Sequence, residues 1–130
     1  MIYIDTNILI YLYEHHPVYG RRVADELTSL REQDQLLLSS TLIITECLAG
    51  TSGVTLANLQ STANLQFIHL DEMVAEKAAS LQSETSLRIG DAIHLATALI
   101  QKADVLFTND LLFAKTAKKY LAVKTLAAKP

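Results

Sequence analysis

The chain has 130 residues, half of them hydrophobic, with a formal net charge of −3 and one cysteine, Cys47. That length suits a single domain that buries a core without disulfides or structural metal, and the lone cysteine excludes a disulfide framework and favours a reducing, cytoplasmic compartment. The acidic balance excludes a protein that holds nucleic acid by bulk electrostatics, but not a nuclease, because each bound dication would add two positive charges.

Ile2, Tyr3 and Ile4 read as a buried strand, followed by a helix through residues 8–13 whose start is capped by Asp5, Thr6 or Asn7. Asp5 also breaks the N-terminal apolar run and no basic leader precedes it, so neither a targeting nor a membrane segment is expected. Pro17 suits the first turn of a second helix, in which Tyr19, Val23, Leu27 and Leu30 share one face up to residues 33–35. Leu36, Leu37 and Leu38 form a second strand candidate, with Ser39, Ser40 and Thr41 as cap residues for a helix reaching about Gly50. Residues 50–53 make a turn, after which Leu56, Leu59 and Ala63 form a weak amphipathic stripe.

Residues 67–70 are a third strand candidate, and Asp71 begins a helix that carries Val74, Ala78 and Leu81 on one face. Gly90 interrupts the chain. From Asp91 a helix aligns Ile93, Ala96 and Ile100, residues 104–108 return as a strand, and Asp110 opens another helix before a last short strand at 122–125. Strands alternating with helices imply an α/β fold: a mostly parallel sheet of four or five strands, connected by right-handed crossovers and covered on both faces.

Four acids stand out against that framework. Asp5 and Asp110 come directly off short apolar strands, where open parallel sheets place their ligands, while Glu46 and Asp91 lie on helices. Asp5, Asp91 and Asp110 each have a plain alternative as helix caps. Glu46 falls within the apolar face of its helix, where the plain alternative is a buried ion pair. If the four converge, each pair of charges about 4 Å apart repels by about 4 kcal/mol at an effective dielectric of 20, so the site must take up protons or cations. All-oxygen donors select a hard ion, Mg²⁺ or Mn²⁺, over zinc.

These motifs resemble the PIN-domain ribonucleases, and among them the small VapC-type toxins of bacterial type II toxin–antitoxin pairs. The resemblance spans essentially the whole chain. It rests on Tyr3-Ile4-Asp5-Thr6-Asn7-Ile8, on Ser39-Ser40-Thr41 leading to Glu46, on Gly90-Asp91-Ala92-Ile93-His94-Leu95-Ala96-Thr97-Ala98, and on Phe107-Thr108-Asn109-Asp110. It implies one PIN-like three-layer nuclease domain over residues 1–130, with Asp5 and Asp91 as the main metal ligands. Glu46 would complete the site, Asp110 would bind or orient a second ion, and Asn7 and Thr108 would assist. Many relatives carry a further Asp two residues beyond the last acid, where this chain has Leu112. The resemblance further implies an RNA substrate, a small cognate antitoxin, a homodimer, and hydrolysis by metal-activated water leaving 5′-phosphate and 3′-hydroxyl ends.

Arg88 and Lys115 are candidate RNA contacts, with a solvated charged face as the plainer role for Lys115, Lys118 and Lys119. His94 lies one turn after Asp91, where packing or a structural hydrogen bond is the ordinary role, and His69 is assigned to a strand. His15 and His16, being adjacent, make a poor metal pair, and Tyr11, Tyr13 and Tyr19 suit packing better than base stacking. Three other functions compete: a housekeeping RNA-processing nuclease, a haloacid-dehalogenase-like phosphatase and a non-catalytic binding module. The phosphatase wants an acid two residues after its first Asp, and Asn7 fills that position.

Overall fold

The computed structural model describes residues 1–50 and 52–126; position 51, within the turn expected at 50–53, lies outside them. The chain opens with β1 (Ile2–Ile4), α1 (Thr6–Tyr13), α2 (Gly20–Glu32), β2 (Leu37–Ser40), α3 (Leu42–Ala49) and α4 (Leu56–Gln60). It continues with β3 (Leu65–Ile68), α5 (Glu72–Glu84), α6 (Ile89–Ile100), β4 (Val105–Phe107), α7 (Leu111–Ala117) and β5 (Ala122–Lys124). The strands form one sheet in the order β3-β2-β1-β4-β5, and every pairing is parallel. This is the α/β sheet expected from the alternating elements, with five strands and no antiparallel member among the described residues.

The all-apolar strands follow from burial on both faces, because successive side chains point to opposite sides. Ile2 and Ile4 of β1, Leu37 of β2 and Phe107 of β4 join the core under α1, α2 and α3, with Val23, Leu27, Leu30 and Ile43. Tyr3, Leu38 and Leu106 point the other way, into a core built with Val74, Ala78 and Leu81 of α5, Leu95 and Ala96 of α6, and Phe113 of α7. Three layers result. Strand β1 is central, with β2 and β4 as its neighbours, so the chain reverses its direction of travel across the sheet beside β1. A crevice outside the carboxyl ends of β1 and β4 is the geometric consequence.

Several local boundaries differ from expectation. Pro17 lies in the turn before α2, which begins at Gly20 because the chain there passes so close to the end of α1 that a Cβ would sit 3.1 Å from the His15 backbone. Ser39 and Ser40 belong to β2 and are fully buried: the Ser39 hydroxyl donates to the Ile4 carbonyl, and the Ser40 hydroxyl accepts from the Leu42 amide. Strand β3 ends at Ile68, leaving His69 exposed beyond it. Helix α6 starts at Ile89, with Arg88 at its cap, so Asp91 stands inside the first turn and is not the cap. The expected caps Asp5, Asp71 and Asp110 each accept backbone N–H bonds at the starts of α1, α5 and α7.

Leu27 has no exposed surface, whereas Arg22 on the same helix is exposed. Leu27→Ala is expected to cost about 2–5 kcal/mol of unfolding free energy. Arg22→Ala should stay within about 0.5 kcal/mol of the parent. Urea denaturation of the two variants checks the contrast.

Candidate active site

Asp5 is placed by the end of β1 and the start of α1. Its Oδ1 accepts the Thr6 amide at 2.8 Å, and its Oδ2 accepts the Thr108 hydroxyl at 2.6 Å and the Asn7 side-chain amide at 3.3 Å. The side chain is 6 % exposed, so these donors replace the water it has lost. Asn7 also accepts the Asn109 amide at 3.1 Å, and the Thr108 hydroxyl accepts the Asp110 amide at 3.1 Å. Asn7 and Thr108 therefore bind the β1 and β4 exits together around Asp5. As an amide donating to Asp5, Asn7 supplies no general acid, which disfavours the phosphatase alternative.

Asp110 divides its two oxygens between separate tasks. Oδ1 accepts the Leu112 and Phe113 amides, both at 3.1 Å, and Oδ2 lies 3.6 Å from Arg88 Nη2. Arg88 Nε lies 3.7 Å from Asp91 Oδ2, so one guanidinium faces both acids from a side chain that is itself 82 % exposed. Arg88, Asp91 and Asp110 line a cleft of about 390 Å³ together with Ser86, Leu87 and Leu112. Lys115 is exposed on α7 and is not among the residues lining this cleft.

Asp91 is the electrostatically costly member. Burial, then the nearby charges of Asp5 and Asp110, push its pKa up to about 6 against the weaker opposing pull of Arg88 and His94. Its place in the first turn of α6 explains why: it is brought toward two other acids without acting as the helix cap. Added positive charge would lower the cost of ionising such a group.

Glu46 is not sunk in the apolar face of α3, as its spacing suggested. Ile43 and Cys47 occupy that face, and the Glu46 side chain is 35 % exposed at the rim. Its Oε1 accepts the Thr6 hydroxyl at 2.7 Å and lies 2.6 Å from His94 Nε2, which makes the anticipated ion pair a bond to histidine. Burial raises the Glu46 pKa, but the His94 bond and charge and the Thr6 bond outweigh it, so the group stays below the ordinary range. Gly90 leaves room here, since a Cβ on it would lie 3.3 Å from Glu46 Oε2. Cys47 is inert: burial, then Glu46 and Glu14, push its thiol up to about 11.

His94 makes the structural hydrogen bonds that are the ordinary role for its position, and more of them than its place in the sequence alone indicates. It is 1 % exposed, and it joins Tyr3 through Nδ1 at 2.6 Å and Glu46 and Thr6 through Nε2. Its position one turn after Asp91 was the available signal. His15 and His16 form no such centre; His16 instead accepts the Val18 and Tyr19 amides and packs between Tyr11 and Tyr19.

Among the described residues, no three His, Cys, Asp or Glu side chains close into a group able to hold a metal ion. The acids instead surround the carboxyl edge, each turned to a protein donor. In donor chemistry they fit a hard dication: carboxylate oxygens, a like-charge cluster with Asp91 raised, and no thiolate free to compete. Among the described residues, no helix is long and apolar enough to cross a membrane.

The PIN domain model matches residues 2–119. Comparison with curated proteins finds no match. Among solved structures, a toxin–antitoxin complex from Klebsiella pneumoniae is 26 % identical with a TM-score of 0.72, covering 96 % of this chain and 97 % of that one. VapBC2 from Rickettsia felis, bound to a DNA fragment from its promoter, is 20 % identical with a TM-score of 0.74, covering 96 % and 98 %. VapC20 from Mycobacterium tuberculosis, a sarcin-ricin loop cleaving toxin, is 13 % identical with a TM-score of 0.71 over the full length of both chains. With the family model matched over residues 2–119, nearly the whole length of the chain, the chain belongs to the PIN domain family.

Proposed function

We propose that this protein is a Mg²⁺- or Mn²⁺-dependent endoribonuclease, a single PIN-type nuclease domain acting as the toxin of a toxin–antitoxin pair. The observation that carries the reading is the group of acids at the exits of β1 and β4, in which burial, and then the charges of Asp5 and Asp110, raise the pKa of Asp91. Asp5 and Asp91 would hold the ion, with Glu46 and Asp110 beside them. A dication there would polarise the scissile phosphate and lower the pKa of a bound water for in-line attack.

The protein's own residues supply position. Thr108 and Asn7 hold Asp5 in one orientation, so its carboxylate is fixed before any ligand arrives. Arg88, exposed and only loosely paired at 3.6–3.7 Å, is free to turn toward a phosphate at the cleft mouth. RNA as substrate is supported by the tuberculosis toxin described as cleaving the sarcin-ricin loop, and an antitoxin partner by the Klebsiella and Rickettsia complexes. A homodimer follows from the family resemblance, and the lone buried Cys47 suits the cytoplasm.

Purified protein with Mg²⁺ or Mn²⁺ is expected to cut cellular RNA into discrete fragments bearing 5′-phosphate and 3′-hydroxyl ends. EDTA should abolish cutting, and Asp5→Asn, which keeps an N-cap, should lower the rate by about 100-fold or more. Cyclic-phosphate ends, or cutting that survives EDTA, would refute the mechanism.

The raised pKa of Asp91 also has a thermodynamic consequence. The fold binds the Asp91 proton more tightly than the unfolded chain does, so this group lowers stability progressively as pH rises from 3.8 to about 6. In EDTA, Asp91→Asn should match the parent near pH 4 and exceed it at pH 7.5, by at most about 3 kcal/mol. Mg²⁺ or Mn²⁺ should then raise the Tm of the parent and not of the variant. Thermal melts at both pH values, with and without metal, test the two effects together.

A further inference from the structure

Buried histidines are costly unless both ring nitrogens find partners, and His94 has partners on both sides. On one side the Tyr3 hydroxyl lies 2.6 Å from Nδ1; on the other, Glu46 Oε1 lies 2.6 Å and the Thr6 hydroxyl 3.1 Å from Nε2. An ionised carboxylate can only accept, so the proton between Nε2 and Glu46 belongs to the ring. The Thr6 hydroxyl, 2.7 Å from Glu46 Oε1, donates to the same oxygen and accepts from Nε2–H. Tyr3 at Nδ1 serves either the neutral or the charged ring, so this direction of donation holds in both.

Four elements meet in this network. Tyr3 comes from β1, Thr6 from α1, Glu46 from α3 and His94 from α6, so it ties the helices on both faces of the sheet at its carboxyl edge. Glu46 is long, and at the rim its charge would otherwise stay in water. The ring and Thr6 engage Oε1, leaving Oε2 toward the start of α6, near where a Gly90 Cβ would be.

We infer that His94 is a positioning residue: its Nε2–H fixes the Glu46 carboxylate at the acidic site, and Tyr3 and Thr6 fix the ring. This deepens the proposed function and rests on it where Glu46 serves the metal. In the metal-free protein, ¹⁵N spectra of the histidine side chains should show His94 Nε2 protonated. A ring protonated only at Nδ1 would overturn the inference.

His94→Leu, which keeps the bulk, should weaken Mn²⁺ binding measured by electron paramagnetic resonance by about tenfold or more, and lower kcat similarly. The double variant with Glu46→Gln should lose no more than either single variant, because both remove the same interaction. His94→Gln, which returns an amide donor near the Nε2 position, should stay within about threefold of the parent. Equal losses for the Leu and Gln variants, or losses that add to Glu46→Gln, would reduce His94 to packing and refute the inference. Proton assignment and Mn²⁺ affinity are read without RNA, so a protein that passes both yet cuts no RNA would count against the nuclease function alone.

Discussion

A parallel sheet buried on both faces leaves no strand position for a charged group, because every side chain along β1 and β4 packs into one core or the other, Tyr3 included although its hydroxyl reaches His94. Carboxylates are forced to the residues at which the strands stop and to the helices beyond. In this protein Asp5 lies one residue past Ile4 and Thr108 one residue past Phe107, on adjacent strands. Their side chains then meet directly, at 2.6 Å. The remaining acids arrive on helices whose starts or rims face the same edge: Asp91 in the first turn of α6, Asp110 capping α7 and Glu46 at the rim of α3.

Bringing acids together is expensive, and the fold handles the expense unevenly. Asp5 is matched by neutral donors, Asp110 by two amides, and Glu46 by a hydroxyl and an imidazole. Among the described residues, the ion-pair partner of Asp91 is Arg88, at 3.7 Å and largely in water, where screening leaves an ion pair little strength. Asp91 is thus the acid left least compensated: burial, then the charges of Asp5 and Asp110, push its pKa up to about 6. A dication would compensate it without rebuilding the other three sites, since their hydrogen bonds leave lone pairs on each carboxylate.

Most of the framework was legible because both signals, apolar runs for strands and stripes for helices, come from burial. Val23, Leu27 and Leu30 recur at helical spacing, and all three are buried. Local chemistry was less legible where tertiary contacts choose among equivalent options. Thr41 is the N-cap of α3 and the Ser40 hydroxyl accepts the Leu42 amide, as their composition suits, yet backbone pairing with β3 extends β2 through Ser39 and Ser40. Pro17 can begin a helix, but the close approach of Gly20 to the end of α1 sets the later start. His94 could be located but not valued from sequence, because its partners come from residues 3, 6 and 46. Glu46 was misplaced for the same reason: periodicity gives its angular position on α3 but not the direction a long side chain takes at the rim.

Capping a helix does not compete with a second role for Asp5 or Asp110, because a carboxylate has two oxygens. In Asp5 and Asp110 alike, Oδ1 serves the helix while Oδ2 faces the other strand exit or the cleft. Capping thus limits the rotation of each side chain and presents its second oxygen in a set direction. An acid used this way is oriented by the same bonds that stabilise its helix, so preorganisation adds little conformational cost. Asp91 lacks that dual role, being inside its helix, and Glu46 lies too far along α3 for any cap. Glu46 therefore takes its orientation from a side-chain donor instead, and the buried His94 reaches it across the top of the sheet.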